Sequence, residues 1–359
     1  MMRLFKDNHW PAFFLMTGLT LSSFFFIYSA TFRGTENYMY KQLFWFACSL
    51  LAYWFVVAVG YRKFLNLATV WYWLAIALLS LVLFIGHIRH GAQRWLPIGP
   101  FALQPSEFCK LATILMLAQF LAERLRVRGQ KRSLAIGASL IAIPFILIVR
   151  QPDLGSALVF IPMLLGMLFA WGIRLRYLFS VFLAGSLCGP FLWFLLKPYQ
   201  QKRLLVFLNP NIDPLGSGYT AVQSKIAVGS GGLVGKGWLH GTQTQLNFVP
   251  EHHTDFIFCV LGEEFGFLGT LLFILLFACL IGYFIQIMEH TTDVRARVLA
   301  AGIISVFLFQ VMVNIGMTMG LAPIVGITLP LISYGGSSLI ATYIAIGLLV
   351  SIHRERSIF

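Results

Sequence analysis

The sequence predicts an all-α integral membrane protein of about ten transmembrane helices, forming a single polytopic domain over residues 1–359. Three observations carry that prediction. The chain is 58% hydrophobic and only 11% charged, with a mean hydropathy of +0.81, whereas soluble domains carry about 25% charged residues. Apolar stretches long enough to cross a bilayer follow one another from end to end. Lys and Arg fall unevenly on the two sides that these stretches define.

The spans read off in order are 11–32, 42–61, 64–88, 106–122, 134–149, 154–173, 177–196, 265–288, 298–322 and 327–352. Each approaches or exceeds the roughly 18 to 20 apolar residues that a membrane-crossing helix needs, with 106–122 and 134–149 the weakest. With the N-terminus inside, fifteen of the 26 Lys and Arg residues lie on the cytoplasmic side. The "ERLRVRGQKR" run over 123–132 anchors that orientation, because basic residues stay on the cytoplasmic face. Both termini are then cytoplasmic, and residues 197–253 form one large extracytoplasmic loop between the seventh and eighth spans.

Charge and cysteine content exclude other classes. A net charge of +13 is accounted for by positive-inside anchoring and by attraction to anionic membrane lipids, so no nucleic-acid partner is inferred. Cys48, Cys109, Cys188, Cys259 and Cys279 lie in or beside apolar stretches and form no disulfide framework. "MMRLFKDNHW" lacks a cleavage site before a long apolar run and reads as a retained anchor. The loop over 197–253 is too rich in Leu, Val, Ile and Trp to be disordered. Short amphipathic helices lying at the membrane surface are expected there. No internal repeat is visible, which argues against the transporters built from repeated halves.

Two patterns within that loop imitate functional motifs. "GSGGLVGKGW" (229–238) lacks the glycine and the Ser or Thr that a phosphate-binding P-loop requires at fixed spacing. Backbone flexibility explains its glycines better. "EHHTD" (251–255) offers adjacent histidines without the third convergent ligand that a zinc site needs.

Four other stretches put ionisable or helix-breaking residues at one membrane level. In "HTDFIF", Asp255 stands either as a helix cap or as a carboxylate at the edge of a cavity, where partial burial would raise its pKa toward that of a general base. Glu263 and Glu264 lie two to three turns further in, and one of them, facing buried protein and in need of a partner, is read as structural. In "RWLPIGPFALQPSEFCKLA" (94–112), Glu107 and Lys110 share a helix face and can pair, and Arg94 precedes them at the interface. "RQPDLGSAL" (150–158) brings Arg150 and Asp153 to the same depth. In "NIGMTMGLAPIVGITLPLISYGGSSLI" (314–340), Gly, Pro and Ser interrupt the helical run, which a membrane tolerates only against protein or a wet cavity.

Taken together and in this order, "QPSEFCKLA", "QPDLGSALV", "PEHHTDFIF…GEEFGFLG", "NIGM" and "LPLISYGGSSL" resemble the SEDS family of cell-wall polymerases (shape, elongation, division and sporulation). The resemblance covers essentially the whole chain. "GTQTQLNFVPEHHTDFIF" and "NIGMTMG" are more similar to the elongation member than to the division member. It implies a peptidoglycan glycosyltransferase that polymerises lipid II on the outer face of the bacterial cytoplasmic membrane. A class B penicillin-binding protein is the implied crosslinking partner. The family's essential aspartate corresponds to Asp255, its paired acid and base to Glu107 and Lys110, and the aspartate of its "QPDLG" motif to Asp153.

The implied reaction inverts an α-linked diphosphate donor into a β-1,4 bond. One displacement needs a base for the acceptor hydroxyl and positive charge for the departing diphosphate. Asp255 is the expected base. Lys110, Arg94, Lys202 and Arg203 are the candidates to stabilise the diphosphate, directly or through a divalent cation, Mg or Mn. Two competing functions remain open at this point. A lipid II flippase would place ionisable residues deep in several spans, and a non-catalytic scaffold would tolerate Asp255→Asn.

Overall fold

The structure is a computed structural model that describes residues 10–32, 38–89, 92–98, 101–124, 130–177, 179–180, 183, 187, 193–194 and 196–356. The chain opens with helices α1 (Trp10–Thr31), α2 (Tyr38–Val59), α3 (Tyr61–Asn66) and α4 (Ala68–Ile85). Three short strands follow, β1 (His87–Arg89), β2 (Ala92–Ile98) and β3 (Phe101–Leu103), and then α5 (Pro105–Arg124), α6 (Gln130–Arg150), α7 (Leu154–Leu158) and α8 (Phe160–Trp171). Past the expected seventh span come α9 (Pro198–Leu208), α10 (Ser217–Ser230) and the single turn α11 (Thr242–Gln245). The long helices α12 (Ile257–Glu289), α13 (Val294–Met319) and α14 (Gly336–Arg356) complete the chain.

Among the described residues, seven helices are long and apolar enough to cross a membrane, α7 and α8 counting as one continuous run over Leu154–Trp171. Of the other three expected spans, 106–122 and 134–149 form the helices α5 and α6. Glu107, Lys110 and Gln119 dilute the hydropathy of α5, and the apolar part of α6 is the shorter stretch Ala135–Arg150. The span expected at 177–196 lies mostly outside the described residues, as does half of the basic run at 123–132.

The core is a set of packed helices around α13, which lies against α5, α8, α12 and α10. α14 packs along α2, and α12 along α1. Tyr53, Tyr72, Tyr343, Phe160 and Phe284 are the largest fully buried side chains. Helix ends follow local chemistry. Asp293 caps α13 by accepting from Arg295 N, and Gly320 in the left-handed region terminates it.

The prediction of an all-α chain needs one correction. β1, β2 and β3 form a three-stranded antiparallel sheet in which Trp95 pairs with His87 and Leu96 with Leu103. The reason is local. "HIRHGAQRWLPIGPFAL" carries turn dipeptides His90-Gly91 and Gly99-Pro100 between runs too short and too broken for helix. The sheet matters because β2 carries Arg94.

The glycine-rich stretch after α10 also has a structural purpose. α12 breaks at Gly266 (φ 62°, ψ −159°), which leaves backbone groups inside the helix without intrahelical partners. The loop supplies them. Lys236 N and Gly237 N donate to the carbonyls of Glu263 and Glu264, both at 3.0 Å, while Phe267 N and Leu268 N donate to Gly232 O (2.9 Å) and Leu233 O (3.0 Å). A Cβ on Gly235 would lie 2.1 Å from Glu264 O, so backbone can approach this closely only where the side chain is missing. Glu263 completes the join. It accepts from Lys236 Nζ (2.7 Å), Gln243 N (2.8 Å), Thr244 N (3.0 Å) and Thr244 Oγ1 (3.0 Å). Glu264 accepts from Ser29 Oγ and Leu239 N. Both glutamates therefore fasten the loop to the spanning helices.

Candidate functional site

The site forms where the turn before α12 meets the non-helical stretch between α13 and α14. Asn314 Nδ2 donates to the carbonyls of Asp255 (2.8 Å) and Ile327 (2.7 Å). Ser333 Oγ donates to Thr254 O (2.6 Å), and Tyr334 N to His253 O (3.0 Å). These bonds hold residues 253–255 against 326–334. The broken helical run thus lines protein, as its glycines and prolines require.

Asp255 does not cap α12. The residue at the cap position is Phe256, and it makes no side-chain capping bond. The half-buried Asp255 carboxylate receives no hydrogen bond among the described residues. Gly326 lies beside it, where a Cβ would sit 3.2 Å from Asp255 Oδ2. Burial pushes the Asp255 pKa up to about 6, with the charge of Glu251 adding to the rise and that of Asp153 adding less. Arg94 and Arg203 pull in the opposite direction.

Those two arginines come from different elements. Arg94, on β2, reaches Asp153 Oδ1 at 3.4 Å and donates to Pro152 O at 3.3 Å, and its buried Nε has no partner among the described residues. Arg203, on α9, donates to Ile324 O at 3.4 Å and lies 5.9 Å from the Tyr199 ring. Tyr199 is four residues earlier on the same helix face, and its hydroxyl donates to Pro152 O at 2.9 Å. Burial lowers the Arg203 pKa, and repulsion from Arg94 lowers it further. The two guanidiniums line one cleft with Pro152, Tyr199 and Ile324.

The remaining predicted residues divide. Asp153 caps α7, accepting from Ser156 N (3.1 Å), Ser156 Oγ (2.9 Å) and Gln104 Nε2 (3.4 Å), and so orients Arg94. Glu107 and Lys110 form a buried ion pair at 2.8 Å. That pair faces a separate small cavity shared with Gln310 and Thr342, between α5, α13 and α14. Lys202 is turned outward, half exposed, and paired with Asp213 at 3.0 Å. The structure therefore gathers Asp255, Arg94, Arg203 and Asp153, sets Glu107 and Lys110 deeper, and does not bring Lys202 to the carboxylate.

Sequence reasoning missed Tyr199, Asn314, Gly326 and the electrostatic part of Glu251. Tyr199 left a signal through its spacing from Arg203, and Asn314 stood in the "NIGM" motif without a role assigned to it. The histidines of "EHH" are engaged elsewhere. His252 places its two ring nitrogens against the carbonyls of Val249 (2.8 Å) and Ala30 (2.6 Å), and His253 lies 4.7 Å from the Tyr38 ring. Among the described residues no group of three or more His, Cys, Asp or Glu could hold a metal ion.

Seven apolar helices long enough to span a bilayer, among the described residues, define an integral membrane protein, and its half-buried Asp255 carboxylate feels the charges of two arginines. The chain belongs to the SEDS family. The family model described as "Cell cycle protein", FTSW_RODA_SPOVE, matches residues 10–358. The chain is 44% identical to "Peptidoglycan glycosyltransferase MrdB" of Escherichia coli K12, over 79% of this chain and 77% of that one. It is 33% identical to "Peptidoglycan glycosyltransferase RodA" of Treponema pallidum, over 99% and 100%. A solved structure described as "Structural coordination of polymerization and crosslinking by a peptidoglycan synthase complex" superposes with a TM-score of 0.84 at 32% identity, covering 97% of this chain and 98% of that chain.

Proposed function

We infer that this chain is a peptidoglycan glycosyltransferase of the elongation type, joining lipid II units into glycan strands by inverting transfer. The observation that carries the mechanism is the Asp255 carboxylate, free of hydrogen bonds among the described residues and placed with two arginines. A carboxylate with a pKa of about 6 is mostly ionised at neutral pH yet basic enough to take a proton from an attacking hydroxyl. Asp255 takes that proton as the sugar hydroxyl attacks the anomeric carbon. The bond to the diphosphate breaks on the opposite side, and the lipid diphosphate leaves with the electron pair.

Arg94 and Arg203 hold the diphosphate, the unpartnered Arg94 Nε being one donor available to it. Asp153 holds Arg94 in place. Lys110, paired with Glu107, acts by ordering the start of α5 rather than by touching the phosphates. A divalent cation, if used, arrives with the substrate phosphates, since magnesium is bound through a few carboxylates and substrate oxygens.

The distribution of basic residues supports cytoplasmic termini, with the loop over 197–253 and the Asp255 carboxylate facing outward. The full set is ten spans, with the polyprenyl tail in a groove between helices. The partner is a class B penicillin-binding protein, supported by the likeness to a complex that couples polymerisation with crosslinking.

The test is polymer formation from lipid II by the purified chain with its partner. Wild type makes glycan, and Asp255→Asn makes it about 10²–10⁴-fold more slowly. Normal polymer from Asp255→Asn removes the base role, and lipid II flipping in proteoliposomes without any polymer would make the protein a flippase.

A further inference from the structure

With Lys202 paired to Asp213, a different lysine faces the cleft. Lys225, on α10, crosses the C-terminal end of α13. A Cβ at Gly320 would lie 1.8 Å from Lys225 Cε and 2.6 Å from its Nζ. Gly320 therefore serves twice, ending α13 in the left-handed conformation (φ 73°) and leaving the slot that the lysine stem occupies.

Lys225 has no carboxylate or hydrogen-bond partner among the described residues. It lines a cleft with Arg203, Ser217, Pro323 and Ile324. Arg203, Pro323 and Ile324 also line the adjoining cleft of Arg94 and Tyr199. Three cations thus follow one wall, in the order Arg94, Arg203, Lys225. Of these only Arg94 has a carboxylate within ion-pair distance among the described residues. Arg203 and the exposed Lys225, lining one cleft without an ion-paired carboxylate among the described residues, extend the positive wall beyond what a single diphosphate needs.

The reaction supplies a second anion. Two lipid-linked molecules meet in the first condensation, each carrying a diphosphate, and only one of those diphosphates departs. We propose that Lys225, with Arg203, forms a second phosphate-binding position that holds the diphosphate retained by the acceptor lipid. This rests on the glycosyltransferase function above and assigns its acceptor side. Lys225 binds substrate and takes no proton, so its loss weakens acceptor binding and leaves the chemical step alone.

The test is a binding titration on the purified full chain carrying Asp255→Asn, so that nothing turns over, with farnesyl diphosphate as the probe and farnesol as the neutral control. Two equivalents of farnesyl diphosphate are expected. With Lys225→Ala or Lys225→Gln added, one equivalent remains, and Lys225→Arg restores the second. In the otherwise wild-type chain, Lys225→Ala raises KM for lipid II about tenfold with kcat unchanged. A single equivalent in the starting protein overturns the proposal. So do two equivalents retained by both Lys225→Ala and Lys225→Gln, with a lowered melting temperature, which would make Lys225 a cap for α13 and nothing more. Polymerisation by Asp255→Asn at the wild-type rate would remove the base role without altering the count of equivalents, so the two failures are distinguishable.

Discussion

Asp153 and Asp255 stand on either side of the same arginine, each at a loop that turns into a spanning helix, and they are used in opposite ways. Asp153 is almost fully buried and saturated. It accepts three hydrogen bonds from Ser156 and Gln104 and pairs with Arg94. Asp255 is half-buried and takes no hydrogen bond among the described residues, although Arg94 and Arg203 influence its charge. A carboxylate with its lone pairs filled holds a helix and an arginine in place. One with its lone pairs empty is available to a proton. Reading both as helix starts does not separate the two, since "QPDLG" and "HTDFI" fit that pattern equally. What separates them is the neighbouring residue three positions on. Ser156 offers Asp153 an amide and a hydroxyl, whereas Phe258 offers Asp255 no side-chain donor.

That contrast can be broken most forcefully at Asp255. Asp255→Asn is expected to lower the polymerisation rate about 10²–10⁴-fold while the chain stays folded and partner-bound, whereas Asp153→Asn should damage folding first. Removing Asp153's charge leaves Arg94 buried without its partner, at a cost of roughly 1–3 kcal/mol, read as a lower melting temperature. An unchanged melting temperature in Asp153→Asn would show that its bonds hold nothing.

The stability effect of Asp255→Asn has the opposite sign. The Asp255 pKa is raised from 3.8 to about 6 in the folded chain, so the native state binds the proton more tightly than the unfolded state. The stability that this adds is present below the unfolded pKa and is lost as pH rises through about 6. Asp255→Asn should therefore melt about 2 °C higher than wild type at pH 7.5 and nearly level with it at pH 4. Equal melting temperatures at both pH values would show that the carboxylate is better solvated than its burial implies.

The smallest effects come from the charges around Asp255. Glu251→Gln removes a charge that raises the Asp255 pKa, so the pH–rate profile moves to lower pH. Arg94→Gln removes one that lowers it, so the profile moves to higher pH. Shifts in the same direction for both variants would mean that the titrating group is elsewhere.

Much of the helical frame was legible in the sequence, because a bilayer imposes length and hydropathy so strictly that α1, α2, α4, α8, α12, α13 and α14 announce themselves. Asp255 was legible as an ionisable residue at the start of a spanning helix, though not as distinct from a cap. The sheet at residues 87–103 was not, since strands of three to seven residues leave little periodicity to read. Lys202 and Lys225 could not be told apart either. Which lysine faces the cleft depends on Asp213 meeting one and Gly320 making room for the other, and both contacts join separate elements. The glycine-rich stretch at 229–238 was legible only as a flexible surface loop. Its docking into the break at Gly266 needed the helix geometry to be seen.

The most direct measurement is the pH dependence of kcat/KM for lipid II polymerisation, from pH 5 to 8, by the purified chain with its partner. A single ionisation near pH 6 is predicted for wild type, with the rate rising about tenfold per pH unit below it and level above it. That slope should be absent from the residual activity of Asp255→Asn. A flat wild-type profile, or the same slope in both proteins, would contradict Asp255 as the proton acceptor.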